Sequence, residues 1–122
     1  MKHVLVVEDE QDLRMLYRME FEAEGYDVDT ADDVPEALQH LQEQDTDVVI
    51  LDLRLPGKSG LELLKEMRSC CRRVPVVINT AYDFYRYDFT TWGAEVFLIK
   101  SGDMTSLKDA VAKLVHKAEI LN

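Results

Sequence analysis

Cysteine is nearly absent from this chain, and the two present, Cys70 and Cys71, are neighbours. Adjacent thiols suit neither an ordinary disulfide nor a zinc site, so a reducing cytoplasm is the expected home. Long apolar runs are missing too. None approaches the ~18 residues of a membrane span, and the opening MKHVLVVEDE turns acidic too early for a signal peptide. Positive charge is scarce: 14 Lys and Arg against 24 Asp and Glu leave a formal net charge of -10. Phosphate backbones would be repelled by most of such a surface, which argues against direct nucleic-acid binding and assigns any such role to another chain or domain. Neither G-x-x-x-x-G-K-[ST] nor G-x-G-x-x-G occurs, and the segment after the first apolar run is acidic where a flavin-phosphate loop would carry Ser, Thr and Gly. Repeats, low-complexity tracts and linkers are likewise missing. A chain of 122 residues is the size of one domain with a real core, so residues 1–122 are read as a single domain.

What the chain does contain is an alternation. Short apolar runs at His3–Val7, Tyr26–Thr30, Val48–Leu51, Val76–Asn79 and Val96–Ile99 read as strands. VLVV and VVIL are continuously apolar, as strands covered on both faces must be. Between them lie segments of helical period, Glu10–Glu24, Val34–Glu43, Ser59–Ser69, Asp83–Trp92 and Met104–Ile120, with Gly25 as a stop and Asp33 and Asp103 as N-caps. The first is expected to present Leu13, Leu16, Tyr17, Met19 or Glu20, and Phe21 at helical spacing. Five strands alternating with five helices imply an α/β fold with a parallel sheet and right-handed crossovers.

The polar residues fall in one place on that scheme. Glu8 and Asp9 follow strand one, Asp52 strand three, Thr80 strand four and Lys100 strand five, all at carboxyl ends, where open α/β sheets bind ligands. Three carboxylates and one ammonium carry a formal charge of -2, and two carboxylates ~5 Å apart repel by roughly 3 kcal/mol at an effective dielectric of about 20. A divalent cation would neutralise the site, and oxygen ligands few in number suit Mg²⁺. The Thr80 hydroxyl and the Lys100 ammonium both fit phosphoryl oxygens. Together they point to phosphoryl transfer onto a carboxylate, with Asp52 as nucleophile.

With VLVVEDE at the first strand end, Asp52-Leu-Arg-Leu-Pro56-Gly-Lys-Ser-Gly60 in the pattern D-x-x-x-P-x-x-x-G, the pair Thr80-Ala81, and FLIK ending at Lys100, the chain resembles from end to end the receiver domain of two-component response regulators. That resemblance implies a flavodoxin-like doubly wound sheet of order 2-1-3-4-5 with five helices. It implies Asp52 as phosphoacceptor, Glu8 and Asp9 as the acidic pair that holds Mg²⁺ together with Asp52, Thr80 as switch hydroxyl, Phe97 as switch aromatic, and Lys100 as the site lysine. The phosphodonor it implies is a histidine kinase or a histidine phosphotransfer protein, and the domain is a signalling module that assists its own phosphorylation rather than an enzyme.

Two features depart from the family pattern. Ser101 follows Lys100 where proline is usual, and a cis peptide before serine costs ~3 kcal/mol, so the form of this bond is open. The interval from Thr80 to Gly93 is shorter than receivers usually have, so the fourth helix is expected to be short or distorted. Aromatics crowd this interval. Tyr85, Phe89 and Trp92 form one stripe at helical spacing, expected to be buried, while Phe84 and Tyr87 fall on another that would face solvent. Phe84 and Tyr87 are therefore the expected partner face, reading phosphorylation through the fourth helix, fifth strand and fifth helix, for a downstream protein or a second copy of the chain. Two other functions compete: a docking receiver independent of phosphorylation, and an Mg²⁺-dependent phosphatase with an aspartyl nucleophile, against which Arg54 stands where such enzymes use an acid. A stand-alone regulator and the receiver of a longer one are equally compatible with the sequence.

Overall fold

The structure, a computed structural model, describes residues 1–70, 73–81, 88–90 and 92–121, side chains at 70 and 118–121 excepted. Its elements run β1 (His3–Val7), α1 (Gln11–Ala23), β2 (Asp27–Ala31), α2 (Val34–Glu43), β3 (Val48–Leu51), α3 (Gly60–Cys70), β4 (Val76–Thr80), β5 (Val96–Ile99) and α4 (Thr105–Leu121). All four strand pairings are parallel and the order is β2-β1-β3-β4-β5.

Side-chain alternation along the strands divides the core into two layers. Leu5, Val7, Val49, Leu51, Val76, Ile78 and Phe97 pack with Val34 and Ala37 of α2 and Leu63, Leu64 and Met67 of α3. Val4, Val6, Val48, Ile50 and Val77 pack on the opposite face with Tyr17 and Phe21 of α1 and Leu107, Val111 and Val115 of α4. The continuous apolar runs are thus explained, because Val4–Val7 of β1 and every residue of β3 are buried. β2, at the sheet edge, is the polar exception: Asp27 and Asp29 leave it only half-buried, as suits an edge that must not recruit another strand.

Local chemistry sets the element ends. Gly25 has φ +96°, its N–H bonds Glu22 O, and the Tyr26 N–H bonds Phe21 O, the pair of bonds that closes a helix at a left-handed glycine. Tyr26 is thereby used in the closure, its ring 5.9 Å from that of Phe21, and β2 begins one residue later than its apolar pattern suggests. Asp33 caps α2 by accepting the Glu36 N–H at 3.0 Å. Asp103 accepts the Thr105 N–H at 2.9 Å at the start of α4.

On α1 the expected stripe is too wide. Tyr17 and Phe21 are buried, but Leu16 and Met19 are 44% and 65% exposed, because the helix meets the sheet on a narrow strip. Four helices are seen among the described residues. The expected fourth segment, Asp83–Trp92, lies mostly outside them, as do Phe84, Tyr85 and Tyr87. Its end is described: the Gly93 N–H bonds Thr90 O and the Ala94 N–H bonds Phe89 O, with φ +94° at Gly93, repeating the closure seen at Gly25. Phe89 and Trp92 are half-buried on the α2/α3 side, Phe89 with its ring 5.9 Å from that of Phe97.

Candidate functional site

Strand order reverses between β1 and β3, whose outer neighbours are β2 on one side and β4 on the other. The crevice at that reversal receives whatever follows the two strands. Val7 stands opposite Leu51 in the ladder, so Glu8 and Asp52 occupy the next rung. Main-chain bonds carry the sheet across that rung: the Glu8 N–H donates to Ala31 O, the Asp52 N–H to Val7 O, and the Lys100 N–H to Thr80 O at 2.8 Å. The side chains are therefore aimed by the sheet itself and not by free loops.

Lys100 joins the site. Its ammonium lies 2.7 Å from Glu8 Oε1 and 2.8 Å from Asp52 Oδ2. Glu8 and Asp52 are buried, and their remaining oxygens accept main-chain donors, Oε2 from the Glu10 N–H at 3.2 Å and Oδ1 from the Arg54 N–H at 3.1 Å. Burial raises the Glu8 carboxyl above its ordinary value; the bonds from Lys100 and Glu10 oppose this, and the Asp52 charge adds to it. At Lys100 burial works against the ammonium, but the bonds to Asp52 and Glu8 outweigh it and hold the group above its ordinary value. The pairing of Glu8 with Lys100 is the part of this arrangement that the spacing of residues does not reveal.

Asp9 is exposed, yet one oxygen each of Glu8, Asp9 and Asp52 lie within 4.8 Å of one another. This is a donor set of hard oxygens only, with a formal charge of -2 once Lys100 is included, and it fits a small divalent cation such as Mg²⁺. Thr80 is buried at the end of β4 and is joined to Lys100 through the main chain. Alternation puts it on the face of Ile78, which stands opposite Phe97, so Thr80 and Phe97 share the α2/α3 face of the sheet. The Lys100–Ser101 bond is trans. In place of a proline turn, Ser101 Oγ accepts the Asp103 N–H at 3.1 Å, and Asp103 in turn accepts the Thr105 N–H. His3, by contrast, sits at the amino end of β1, away from the site, its main-chain N–H bonded to Asp47.

Two contributors, and the physical reason for a third residue already seen in the D-x-x-x-P-x-x-x-G pattern, escape a reading of the sequence. Arg14 Nη1 donates to the carbonyls of both Glu8 and Asp9, at 3.0 and 3.2 Å. Buried Asn79 donates to the Tyr17 hydroxyl at 3.1 Å, tying β4 to α1 one residue before Thr80. Gly60 is needed for close approach rather than for a special φ: a Cβ there would lie 2.6 Å from Asp52 O and 2.8 Å from Leu53 Cα, both main-chain atoms that cannot swing aside. Gly60→Ala is expected to lower stability by about 1–3 kcal/mol by forcing α3 off the Asp52 strand end. The urea midpoint measures this, and a midpoint equal to the wild type would show that the approach relaxes without cost.

Residues 4–112 match the family model described as the response regulator receiver domain, and the chain belongs to that family. The alkaline phosphatase synthesis transcriptional regulatory protein PhoP of Bacillus subtilis is 31% identical over 121 residues, 98% of this chain and 50% of PhoP. The chain spans about half the length of several curated relatives it matches. Among solved structures, the response regulator protein TrrA of Thermotoga maritima in complex with Mg²⁺-BeF superposes with a TM-score of 0.87 at 41% identity, covering 93% of this chain and 99% of that one. TrrA in complex with the histidine kinase ThkA gives a TM-score of 0.85 at the same identity, covering 94% and 99%. The flavodoxin-like order 2-1-3-4-5 is thus a receiver fold, and the domain is a module of two-component signalling. No helix among the described residues is long and apolar enough to cross a membrane.

Proposed function

We propose that this receiver accepts a phosphoryl group on Asp52, and that Glu8, Asp9 and Asp52 hold Mg²⁺ for the transfer. The observation that carries the reading is the convergence of three carboxylates and the Lys100 ammonium at the strand-order reversal. A bound Mg²⁺ would supply charge neutralisation for the incoming phosphoryl oxygens. An Asp52 carboxylate oxygen attacks phosphorus; the bond from phosphorus to the donor's imidazole nitrogen breaks, and the nitrogen keeps the electron pair. Lys100, already against Asp52 Oδ2, stays beside the new acyl phosphate and offsets its added charge. A histidine kinase is the natural donor, in keeping with the ThkA complex of the 41% identical TrrA. The output belongs to a partner or to a further domain, in keeping with relatives that run to about twice this length. Thr80 and Phe97 are the pair through which the phosphoryl group would be sensed, and a cytoplasmic setting suits a kinase-fed module.

Acetyl phosphate with and without Mg²⁺ tests the reading by intact mass. One added phosphoryl group that requires Mg²⁺ is expected, and modification undiminished in EDTA would remove the metal from the mechanism. Mg²⁺ alone is expected to raise the melting temperature, since a ligand at ~10 times its Kd stabilises the folded state by about 1.4 kcal/mol. Asp9→Ala is expected to abolish that shift.

A further inference from the structure

The carboxylate of Asp9 differs from its two neighbours. Glu8 and Asp52 are buried and fixed at both oxygens, by Lys100 and by main-chain N–H groups. Asp9 is exposed, and among the described residues its carboxylate makes no hydrogen bond. With no bond at the carboxylate itself, the backbone is what fixes the position and the Cα–Cβ direction from which the Asp9 side chain starts. That backbone lies between the end of β1 and the start of α1 and has no sheet partner of its own.

Arg14 supplies what the sheet does not. One turn into α1, its Nη1 reaches back to Glu8 O at 3.0 Å and Asp9 O at 3.2 Å, while its own N–H donates to Glu10 O at 2.9 Å. The two peptide planes on either side of Asp9 are therefore pinned by one guanidinium, and with them the direction in which the Asp9 side chain leaves the chain. We propose that Arg14 is a positioning residue for Mg²⁺: its clasp on the Glu8 and Asp9 carbonyls holds the exposed Asp9 carboxylate in the geometry that the ion requires. The inference rests on the Mg²⁺ reading of the site.

Electrostatics alone gives the opposite sign, which makes the proposal testable. A guanidinium beside a cation site repels the cation, so deleting its charge would tighten Mg²⁺ binding if charge were its only influence. Loss of positioning weakens binding, and outer-shell partners of metal ligands typically contribute 10- to 100-fold in affinity. Mg²⁺ demands near-ideal octahedral geometry, so a ligand released from its clasp is felt strongly.

The test is calorimetric titration of Mg²⁺ into wild type, Asp9→Ala, Arg14→Met and Arg14→Lys, with folding checked by circular dichroism. Arg14→Gln replaces any variant that does not fold. Arg14→Met is expected to raise the Mg²⁺ Kd by about tenfold, and Arg14→Lys, whose ammonium can still reach a carbonyl, to recover part of that loss. With acetyl phosphate as donor, the Arg14→Met phosphorylation rate is expected to return to near the wild-type value at saturating Mg²⁺, because only positioning for the ion is lost. A folded Arg14→Met with unchanged or tighter Mg²⁺ binding overturns the proposal and leaves the metal site intact. Wild type that binds no Mg²⁺ overturns the metal reading, and this inference falls with it.

Discussion

Lys100→Met is expected to cost about 3 kcal/mol of folding stability in metal-free buffer, because breaking a buried ion pair by removing one partner leaves uncompensated buried charge. Lys100 is the shared cation of two carboxylates that are only 2% and 6% exposed, Glu8 and Asp52, at 2.7 and 2.8 Å. Methionine keeps much of the lysine stem's bulk but none of its charge. The loss has a pH dependence whose sign follows from Glu8. Burial already holds the Glu8 carboxyl above its ordinary value, and Lys100 is among the influences that pull it down. Without Lys100 the folded-state value rises further, so the folded protein binds more protons than the unfolded one over that window. Stability of the variant then falls as pH rises from the ordinary Glu value through the raised one, and the deficit against wild type is smaller in mild acid. The same change leaves three carboxylates with no ammonium, so Mg²⁺ is expected to bind the variant more tightly than wild type. Urea titrations at two pH values, with and without Mg²⁺, check all three points. Unchanged stability, or weaker Mg²⁺ binding, would show that Lys100 is not the cluster's counter-ion.

Asp52→Asn is expected to abolish phosphorylation while leaving the fold intact. An amide cannot form an acyl phosphate, and Glu8, buried and held by Lys100 and the Glu10 N–H, is in no position to substitute. The carboxamide is nearly isosteric, and the 2.7 Å pair between Glu8 and Lys100 survives, so stability is expected to stay within ~2 kcal/mol of wild type. Mg²⁺ affinity should fall, since the cluster's formal charge drops from -2 to -1. Phosphate-affinity electrophoresis after treatment with acetyl phosphate reads the result. A modified band of wild-type intensity in the folded variant would place the acceptor on another residue.

How far such a site can be read from sequence depends on what kind of cause places each residue. Strands β1, β3 and β5 have the limits their apolar runs suggest, and α2 those of its periodicity, because burial on both faces leaves a plain composition signal. Glu8, Asp9, Asp52 and Lys100 were legible as a group, since a charged residue at the end of a buried strand has few other reasons to be there. Boundaries moved where local hydrogen bonding overrode pattern: Tyr26 joins the closure of α1, and Thr80 extends β4 to pair with Ile99. The pairing of Lys100 with Glu8 was not legible, because it joins the ends of β5 and β1 across the sheet and no local pattern encodes that strand order or register. Arg14, the bond between Asn79 and Tyr17 and the close approach that requires Gly60, itself visible in the motif, were hidden because each acts on an atom distant in sequence or on main chain. Leu16 and Met19 fit the helical spacing and still face solvent, since periodicity states which residues share a stripe and not how wide the contact beneath it is.

The most direct test of the phosphoacceptor assignment is chemical trapping of the acyl phosphate. Wild-type protein treated with acetyl phosphate and Mg²⁺ is reduced with borohydride, which converts an aspartyl phosphate to homoserine, then digested and sequenced by mass spectrometry. Homoserine at position 52 and at no other aspartate is the expected result. Homoserine at position 9 or elsewhere, with Asp52 unmodified, would contradict it.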